Sequence, residues 1–298
     1  MRFIKPSYDI WNPPHYFEGI LEHIERAGRV CYKSEDRIKY DECGNSLTAK
    51  PFVDKLIESD HLSVLEHGTI YLKIVNREGE NVLYKDFLDA ATWYYDNPYS
   101  RVNEVHSLGD SINYRVLVEN NRLKDLRYLC APTEYHEKRV TVHFTLDRAI
   151  SMEFLRHRKM SFTQESTRYC NYSNKDKFGG EVTFIIPCWM DTIEEGAVYS
   201  YDTDIELWQK SEDANTSNFL QSIAWAEKNY LTLLHNSWTP QQARAVLPNA
   251  LKTELVMTGF ISDWKHFFEL RDSNKAHPQA RELASPLHKE FIEKGLIK

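Results

Sequence analysis

Between Phe17 and Cys31, apolar residues recur at Phe17, Ile20, Leu21, Ile24 and Ala27, a helical spacing that turns one face toward a core. Phe52, Val53, Leu56 and Ile57 repeat the pattern and predict a second helix. After Ser59-Asp60-His61-Leu62-Ser63 the period changes: Ile70, Leu72 and Ile74 alternate with Thr69, Tyr71 and Lys73. That alternation predicts a strand with one buried face, ending near Asn76. From 76 to 138 the chain is rich in Asn, Asp and aromatic residues and reads as an insertion. Two helices are expected within it, over 82–95 and 111–128.

The clearest strand comes next, where Val140, Val142, Phe144 and Leu146 alternate strictly with Thr141, His143 and Thr145. Asp147 then has the chemistry of an N-cap, opening a helix through Ile150, Phe154 and Leu155. This strand-to-helix unit delivers Arg156-His157-Arg158 at the helix's C-terminal end. Beyond it the pattern predicts a polar loop over 171–180, a strand over 181–186 and helices over 191–235. Strands and helices mix without a regular βαβ rhythm. The expected class is therefore α+β, a mixed or antiparallel sheet flanked by helices, with a helical insertion and long C-terminal helices. One domain over 1–298 is expected, with the insertion at 76–138.

With 298 residues, 42% of them hydrophobic, the chain can bury a full core without disulfides or metals. Its 37 Lys and Arg against 44 Asp and Glu give a net charge of -7, which repels nucleic acid and anionic membranes. A phosphate must therefore meet a local basic pocket. No apolar run approaches the roughly 18 residues of a membrane span, and Met1-Arg2-Phe3-Ile4-Lys5-Pro6 lacks an apolar leader, so a soluble cytoplasmic protein is expected. The 5 cysteines are odd in number and widely spread, with no Cys-x-x-Cys pair; reduced thiols and no metal site are expected.

Arg156-His157-Arg158 has a plain explanation: cations at a helix C-terminus offset the negative end of its dipole, and Glu153 stands one turn away as a surface partner. The next few residues point further. Ser161, Thr163, Gln164, Glu165, Ser166, Thr167 and Arg168 crowd hydroxyls, amides and another guanidinium into one short turn, an inventory suited to a phosphorylated ligand.

Arg156-His157-Arg158-x-x-Ser161-x-x-x-x-Ser166-x-Arg168-Tyr169 resembles the signature of the flavin-dependent thymidylate synthases. The resemblance implies that Arg156, His157 and Arg158 contact FAD, and that dUMP is lined by Glu153, Arg156, Gln164, Glu165, Ser166, Thr167 and Arg168. Thr163-Gln164 stands where the commonest form has Asn-Glu, and both residues are carried to the flavin as well. Glu153, where the family often has Gln, is expected to accept from the uracil edge or to orient Arg156.

Gln242-Ala243-Arg244-Ala245-Val246-Leu247-Pro248 resembles the family element whose Arg reaches the nucleotide phosphate from a neighbouring subunit, which implies that role for Arg244. On its own it reads as a helix-end Arg before a Pro stop. The segment Phe260 to Arg271 resembles the one ending in the Arg that activates the uracil ring. It implies catalysis by Arg271 and FAD contacts at Phe260, Ser262 and His266, while Trp264, Phe267, Phe268 and Leu270 read as core packing. Arg29-Val30-Cys31-Tyr32 and His61-x-Ser63-x-x-Glu66-His67 resemble segments that close over the flavin. Ser63 is the FAD candidate there; His61 is a gate on the folate and NADPH side, or a structural histidine.

By this resemblance NADPH reduces FAD, 5,10-methylenetetrahydrofolate supplies the carbon, flavin hydride completes the methyl group, and tetrahydrofolate leaves. Arg271 would stabilise anion character in the uracil ring with no protein nucleophile, and His157 with its flanking guanidiniums would steady the reduced flavin. A homotetramer with sites between subunits is implied. Two alternatives stand beside this one. Pro187-Cys188 echoes synthases with a Cys nucleophile, although Trp189 stands where their His would be. A nucleic-acid-binding module built on the basic motif is the other, and the overall acidity argues against it.

Overall fold

The computed structural model describes residues 1–12, 15–74, 92–103, 108–209 and 213–297. Strands β1 (Arg2–Ile4) and β2 (Ser7–Trp11) precede helices α1 (Phe17–Tyr32) and α2 (Ala49–Glu58). Next come β3 (Thr69–Ile74), β4 (Arg101–Asn103), β5 (Leu108–Asn113) and α3 (Tyr114–Glu119). The expected strand and capped helix are β6 (Arg139–Asp147) and α4 (Arg148–Phe154), followed by β7 (Ser161–Gln164) and β8 (Thr183–Ile185). Helices α5 (Tyr201–Gln209) and α6 (Ala214–His235), strand β9 (Lys252–Phe260), and helices α7 (Ile261–Arg271) and α8 (Pro278–Glu293) complete the order. The chain is α+β, as its patterning predicts.

The main sheet is antiparallel in the order β2-β6-β9-β7. β6 and β9 pair along their whole length, from Arg139 opposite Phe260 to Asp147 opposite Lys252. One core lies between this sheet and α4, α7 and α8, with Phe144, Phe154, Met257, Phe267, Leu283 and Phe291 buried together. The second core, with Ile24, Val53, Leu65, Ile70 and Ile112, joins α1 and α2 to an antiparallel sheet of order β3-β5-β4. A third gathers Phe3, Phe184, Leu220 and Tyr230 around the parallel pair β1-β8 and α6.

Three element boundaries differ from expectation. Residues 108–113 form β5 rather than the start of a helix over 111–128, because pairing with β3 and β4 satisfies their backbone groups on both sides. The helix begins only after Asn113, whose side chain accepts from the Val116 N–H at 3.2 Å; residues 123–128 are a 3₁₀ segment. Residues 191–200 are not helical; Gly196 there has φ +81°, and helices start at Tyr201 and Ala214. The strand over 181–186 contracts to β8. The helix expected over 82–95 falls largely outside the described residues, which are helical at 92–96. Among the described residues, no helix is long and apolar enough to cross a membrane.

Candidate active site

Antiparallel pairing of β6 with β9 decides where the basic residues meet. α4 leaves the pair beside the start of β9, α7 leaves it beside the start of β6, and both fold back over the same core. Their C-terminal ends therefore converge. Asp147 starts α4 as its sequence suggests, accepting from the Ile150 N–H at 2.9 Å. Phe154 from α4 and Phe267 from α7 are in edge contact at 4.9 Å, and His157 packs on Phe267 at 5.0 Å. Gly259 in β9 permits the close approach of the loop below Arg158: a Cβ there would stand 2.9 Å from Met160 Cγ.

Above this packing, Arg271 is fixed by three hydrogen bonds. Its Nη1 donates to Glu153 Oε2 at 2.7 Å, its Nη2 to the Glu153 carbonyl at 2.7 Å, and its Nε to His157 Nε2 at 3.1 Å. An Arg Nε–H only donates, so His157 Nε2 accepts and the ring proton lies on Nδ1. Burial, then the positive charge of Arg271 and the neighbouring His266, lowers the His157 pKa to about 4. His157 is neutral at pH 7. Its Nδ1–H remains a hydrogen-bond donor, while positive charge at this point belongs to the guanidiniums. The Glu153 carboxylate, expected at the uracil edge or on Arg156, pairs with Arg271.

A cleft of about 1210 Å³ opens at this point. It is lined by seven residues singled out from the sequence: Glu153, Arg156, His157 and Arg158 on one side, Ser262, His266 and Arg271 on the other. Arg156 and Arg158 are exposed, and among the described residues no carboxylate pairs with either side chain. Phe260 is buried beneath, under the guanidiniums of Arg101 and Arg139 at 4.7 and 5.3 Å, so it offers the cleft no side chain. Arg101, Lys159, Asp263, Lys275 and His277 also line the cleft and were not singled out. Arg101 arrives from β4 on a separate sheet, and no local signal marks it.

The remaining candidates lie elsewhere. Ser63, Thr163, Gln164, Ser166 and Arg168 line a separate cavity of about 330 Å³ that shares no lining residue with the cleft. Residues 161–164 form strand β7, not part of one short turn with the residues that follow. Gln164 Nε2 donates to Ser151 Oγ and Thr253 Oγ1 at 2.9 and 3.2 Å. Glu165 and Thr167 are buried and line neither cavity. Thr167 Oγ1 accepts from Arg244 Nη1 at 3.1 Å, which places Arg244 with this second group.

Two buried polar systems underlie the strands, and sequence reasoning missed both. Thr163 Oγ1 lies 3.0 Å from His67 Nε2, and His67 Nδ1 lies 2.8 Å from Thr258 Oγ1. Thr258 bonds Thr141 at 2.7 Å, and Thr141 bonds His23 Nε2 at 3.0 Å. Burial, then nearby positive charge, lowers the His23 pKa to about 3 and pushes His67 well below its usual value. The other system is ionic. Glu165 accepts from Tyr172 Oη at 2.9 Å and from Lys252 Nζ at 2.8 Å; Lys252 also bonds Glu254, which pairs with Lys33 and with His143 at 2.9 Å. Burial raises the Glu254 pKa, but the His143 hydrogen bond and the charges of Lys252 and Lys33 outweigh it and hold the carboxylate ionised. A Glu inside a strand of buried residues is the signal that marks this network.

Cys188 is exposed, lines neither cavity, and has its thiol pKa raised by burial and by Glu282. Among the described residues, no group of three or more His, Cys, Asp or Glu is placed to hold a metal ion.

Beside the ends of α4 and α7 the fold gathers Arg156, Arg158 and Arg271 into one cleft, an arrangement whose chemistry suits an anion. Residues 132–294, more than half of the sequence, match the family model described as thymidylate synthase complementing protein, and the chain belongs to that family. It is similar to the flavin-dependent thymidylate synthase of Mycobacterium tuberculosis strain H37Rv, 30% identical over 144 residues, 47% of this chain and 51% of that protein. The enzyme of the same name from Mycobacteroides abscessus is 26% identical over 198 residues, 65% of this chain and 67% of the relative. The chain thus spans about half the length of the relatives it matches at 30% identity. A crystal structure of a UMP/dUMP methylase from Streptomyces cacaoi aligns over 98% of this chain and 93% of that one, with 16% identity and a TM-score of 0.42.

Proposed function

We propose that this chain is an FAD-dependent thymidylate synthase, converting dUMP to dTMP with 5,10-methylenetetrahydrofolate as carbon donor and NADPH as reductant, and releasing tetrahydrofolate. The observation that carries the reading is Arg271, held by Glu153 and His157 in one cleft with Arg156 and Arg158. The names of the mycobacterial relatives support it.

The residues present fit a dinucleotide cofactor. The cleft exceeds the roughly 300–1,000 Å³ typical of small-ligand pockets, and its exposed guanidiniums at Arg156 and Arg158 have no carboxylate partner among the described residues. A flavin bound there would supply the hydride that completes the methyl group. Arg156 and Arg158 would hold the flavin, with Arg156 also at the nucleotide, and Arg244 would take the phosphate of dUMP. Arg271 faces the uracil edge and stabilises the negative charge that builds up there when C5 attacks the one-carbon unit. Glu153 and His157 fix the guanidinium plane, so that little reorientation is needed during reaction. No protein nucleophile is required.

In one copy the cleft is separate from the cavity lined by Ser63, Gln164, Ser166 and Arg168, and Arg244 bonds Thr167, which lines neither. If the two groups meet on one nucleotide from different copies, the site lies between subunits, as in the homotetramer proposed here. The whole of 1–298 is read as one synthase domain, with 76–138 as its insertion. The test is spectroscopic and chemical: purified protein reconstituted with FAD is expected to show a flavin spectrum that NADPH bleaches and dUMP perturbs, and to form dTMP. A protein that binds no flavin and forms no dTMP would sink the reading.

A further inference from the structure

Beside the Gln164 and Arg168 cavity lies a larger pocket of about 690 Å³ that the proposed chemistry has not used. The two adjoin, sharing Tyr32, Phe52, Leu56, His61 and Tyr169. Tyr32 and Tyr169 stand at the boundary with their rings 5.0 Å apart, and they are 40% and 53% exposed. Two large aromatic side chains left in contact with water, with the Arg168 guanidinium 5.4 Å from the Tyr169 ring, form an open stacking surface for a heterocycle.

Charge sets the outer part apart from the rest of an acidic protein. Arg29, Arg37, Lys55 and Lys177 all line the pocket, and none of its lining residues is acidic. Arg29 is paired with Glu25 at 2.7 Å and forms a wall against Phe52. Lys177 donates to the Lys33 carbonyl at 2.9 Å and stands 3.7 Å from Asp36. Arg37 and Lys55 are exposed, and no carboxylate pairs with either among the described residues. In a chain of net charge -7, two such uncommitted cations over an acid-free pocket concentrate positive potential there.

We propose that this pocket is the subsite for the glutamate tail of the folate co-substrate, with the heterocycle directed toward Tyr32 and Tyr169. The inference rests on the synthase reading. The four cations stand on four separate elements: α1, the 3₁₀ turn Glu35–Arg37, α2 and the helical turn Lys175–Phe178. Phosphate is held by donors that converge on one point. Carboxylates strung along a flexible chain meet cations one at a time, and spread charge suits them better than it suits the phosphates of NADPH. Polyglutamylated folate should therefore bind more tightly than the monoglutamate, and salt should remove the difference.

The test is anaerobic equilibrium dialysis of the full chain against tetrahydrofolate monoglutamate, tetrahydrofolate pentaglutamate and NADP⁺, for the wild type and for an Arg37→Ala/Lys55→Ala variant. Both replaced side chains are exposed, so the fold should survive, which a thermal melt checks. The variant is expected to lose pentaglutamate affinity by roughly three- to tenfold, the scale of two exposed charge pairs, while monoglutamate and NADP⁺ affinities hold. Equal binding of the two folates by the wild type would overturn the proposal. So would a loss that falls on NADP⁺ instead, which would assign the pocket to phosphates. Synthesis of dTMP by the wild type is scored separately. If dTMP forms but tail length does not matter, the subsite fails alone; if no dTMP forms while tail length matters, the synthase reading fails and the anion pocket stands.

Discussion

Arg271, the last residue of α7, and Glu153, in the last turn of α4, are 118 positions apart in the chain and meet through two hydrogen bonds of 2.7 Å. A guanidinium over two helix C-termini sits where the dipoles favour positive charge. One bond goes to a backbone carbonyl, which no side-chain substitution removes. The carboxylate bond is therefore the adjustable part of the arrangement.

Replacing Glu153 with Ala should leave Arg271 tied only to the carbonyl and His157. Turnover is expected to fall by about 10- to 100-fold, the scale of losing orientation at a reacting centre. Glu153→Gln retains an acceptor and should lose less. Steady-state kinetics of dTMP formation check the order; equal losses for both variants would argue that charge, not orientation, is what Glu153 supplies.

Arg271→Ala should preserve the fold and abolish most dUMP binding and turnover. Arg271→Lys should not restore them, because one ammonium cannot reproduce a planar fork reaching Glu153 and His157 together. Calorimetric titration with dUMP and a turnover assay decide this. Near-normal activity in the Lys variant would reduce the role to simple charge.

Subunit sharing predicts complementation. Arg271→Ala and Arg244→Ala chains, each inactive alone, should recover activity when unfolded together and co-refolded, with about a quarter of the sites drawing both arginines from unmutated positions. No recovery in verified mixed oligomers would place both arginines in one copy's site.

Stability should depend on pH chiefly through three of the four buried histidines. His157 and His23 have pKa values lowered to about 4 and about 3, and His67 is lowered well below the ordinary value. In the unfolded chain all three titrate near pH 6.5. Below that pH the unfolded state binds more protons than the folded state, so stability is present above about pH 7 and falls as pH drops from about 6.5 toward 4. Urea midpoints measured from pH 8 to pH 5 test the sign. A midpoint that stays constant or rises as pH drops would contradict it.

Thr258→Val keeps the shape of a central β9 residue but removes the hydroxyl between His67 and Thr141. Leaving buried polar groups without a partner costs about 1–3 kcal/mol each. The variant should melt at a lower temperature with little change at the cleft surface; an unchanged melting temperature would show that the chain of hydrogen bonds is not stabilising.

Much of the fold was legible along the chain. The alternation from Val140 to Leu146, the cap at Asp147 and the helix after it were readable because each depends on neighbours within a few residues. Arg156-His157-Arg158 at a helix end was readable for the same reason. The helix expected over 111–128 failed where β5 found pairing partners on β3 and β4, since cross-strand pairing overrides local propensity and leaves no mark in the segment itself.

The sequence by itself determined the α+β class, the chemistry of the basic motif and the family resemblance, because residue type and short-range spacing carry those directly. Only tertiary structure decided that Glu153 holds Arg271 and that His157 is neutral beneath them. It likewise sent Gln164 and Arg168 to a different cavity from Arg156, and gathered Arg37 and Lys55 into one acid-free pocket. The reason is physical: hydrogen bonds, desolvation and charge coupling act over a few ångströms in space, and antiparallel pairing and helix packing set those distances independently of separation along the chain.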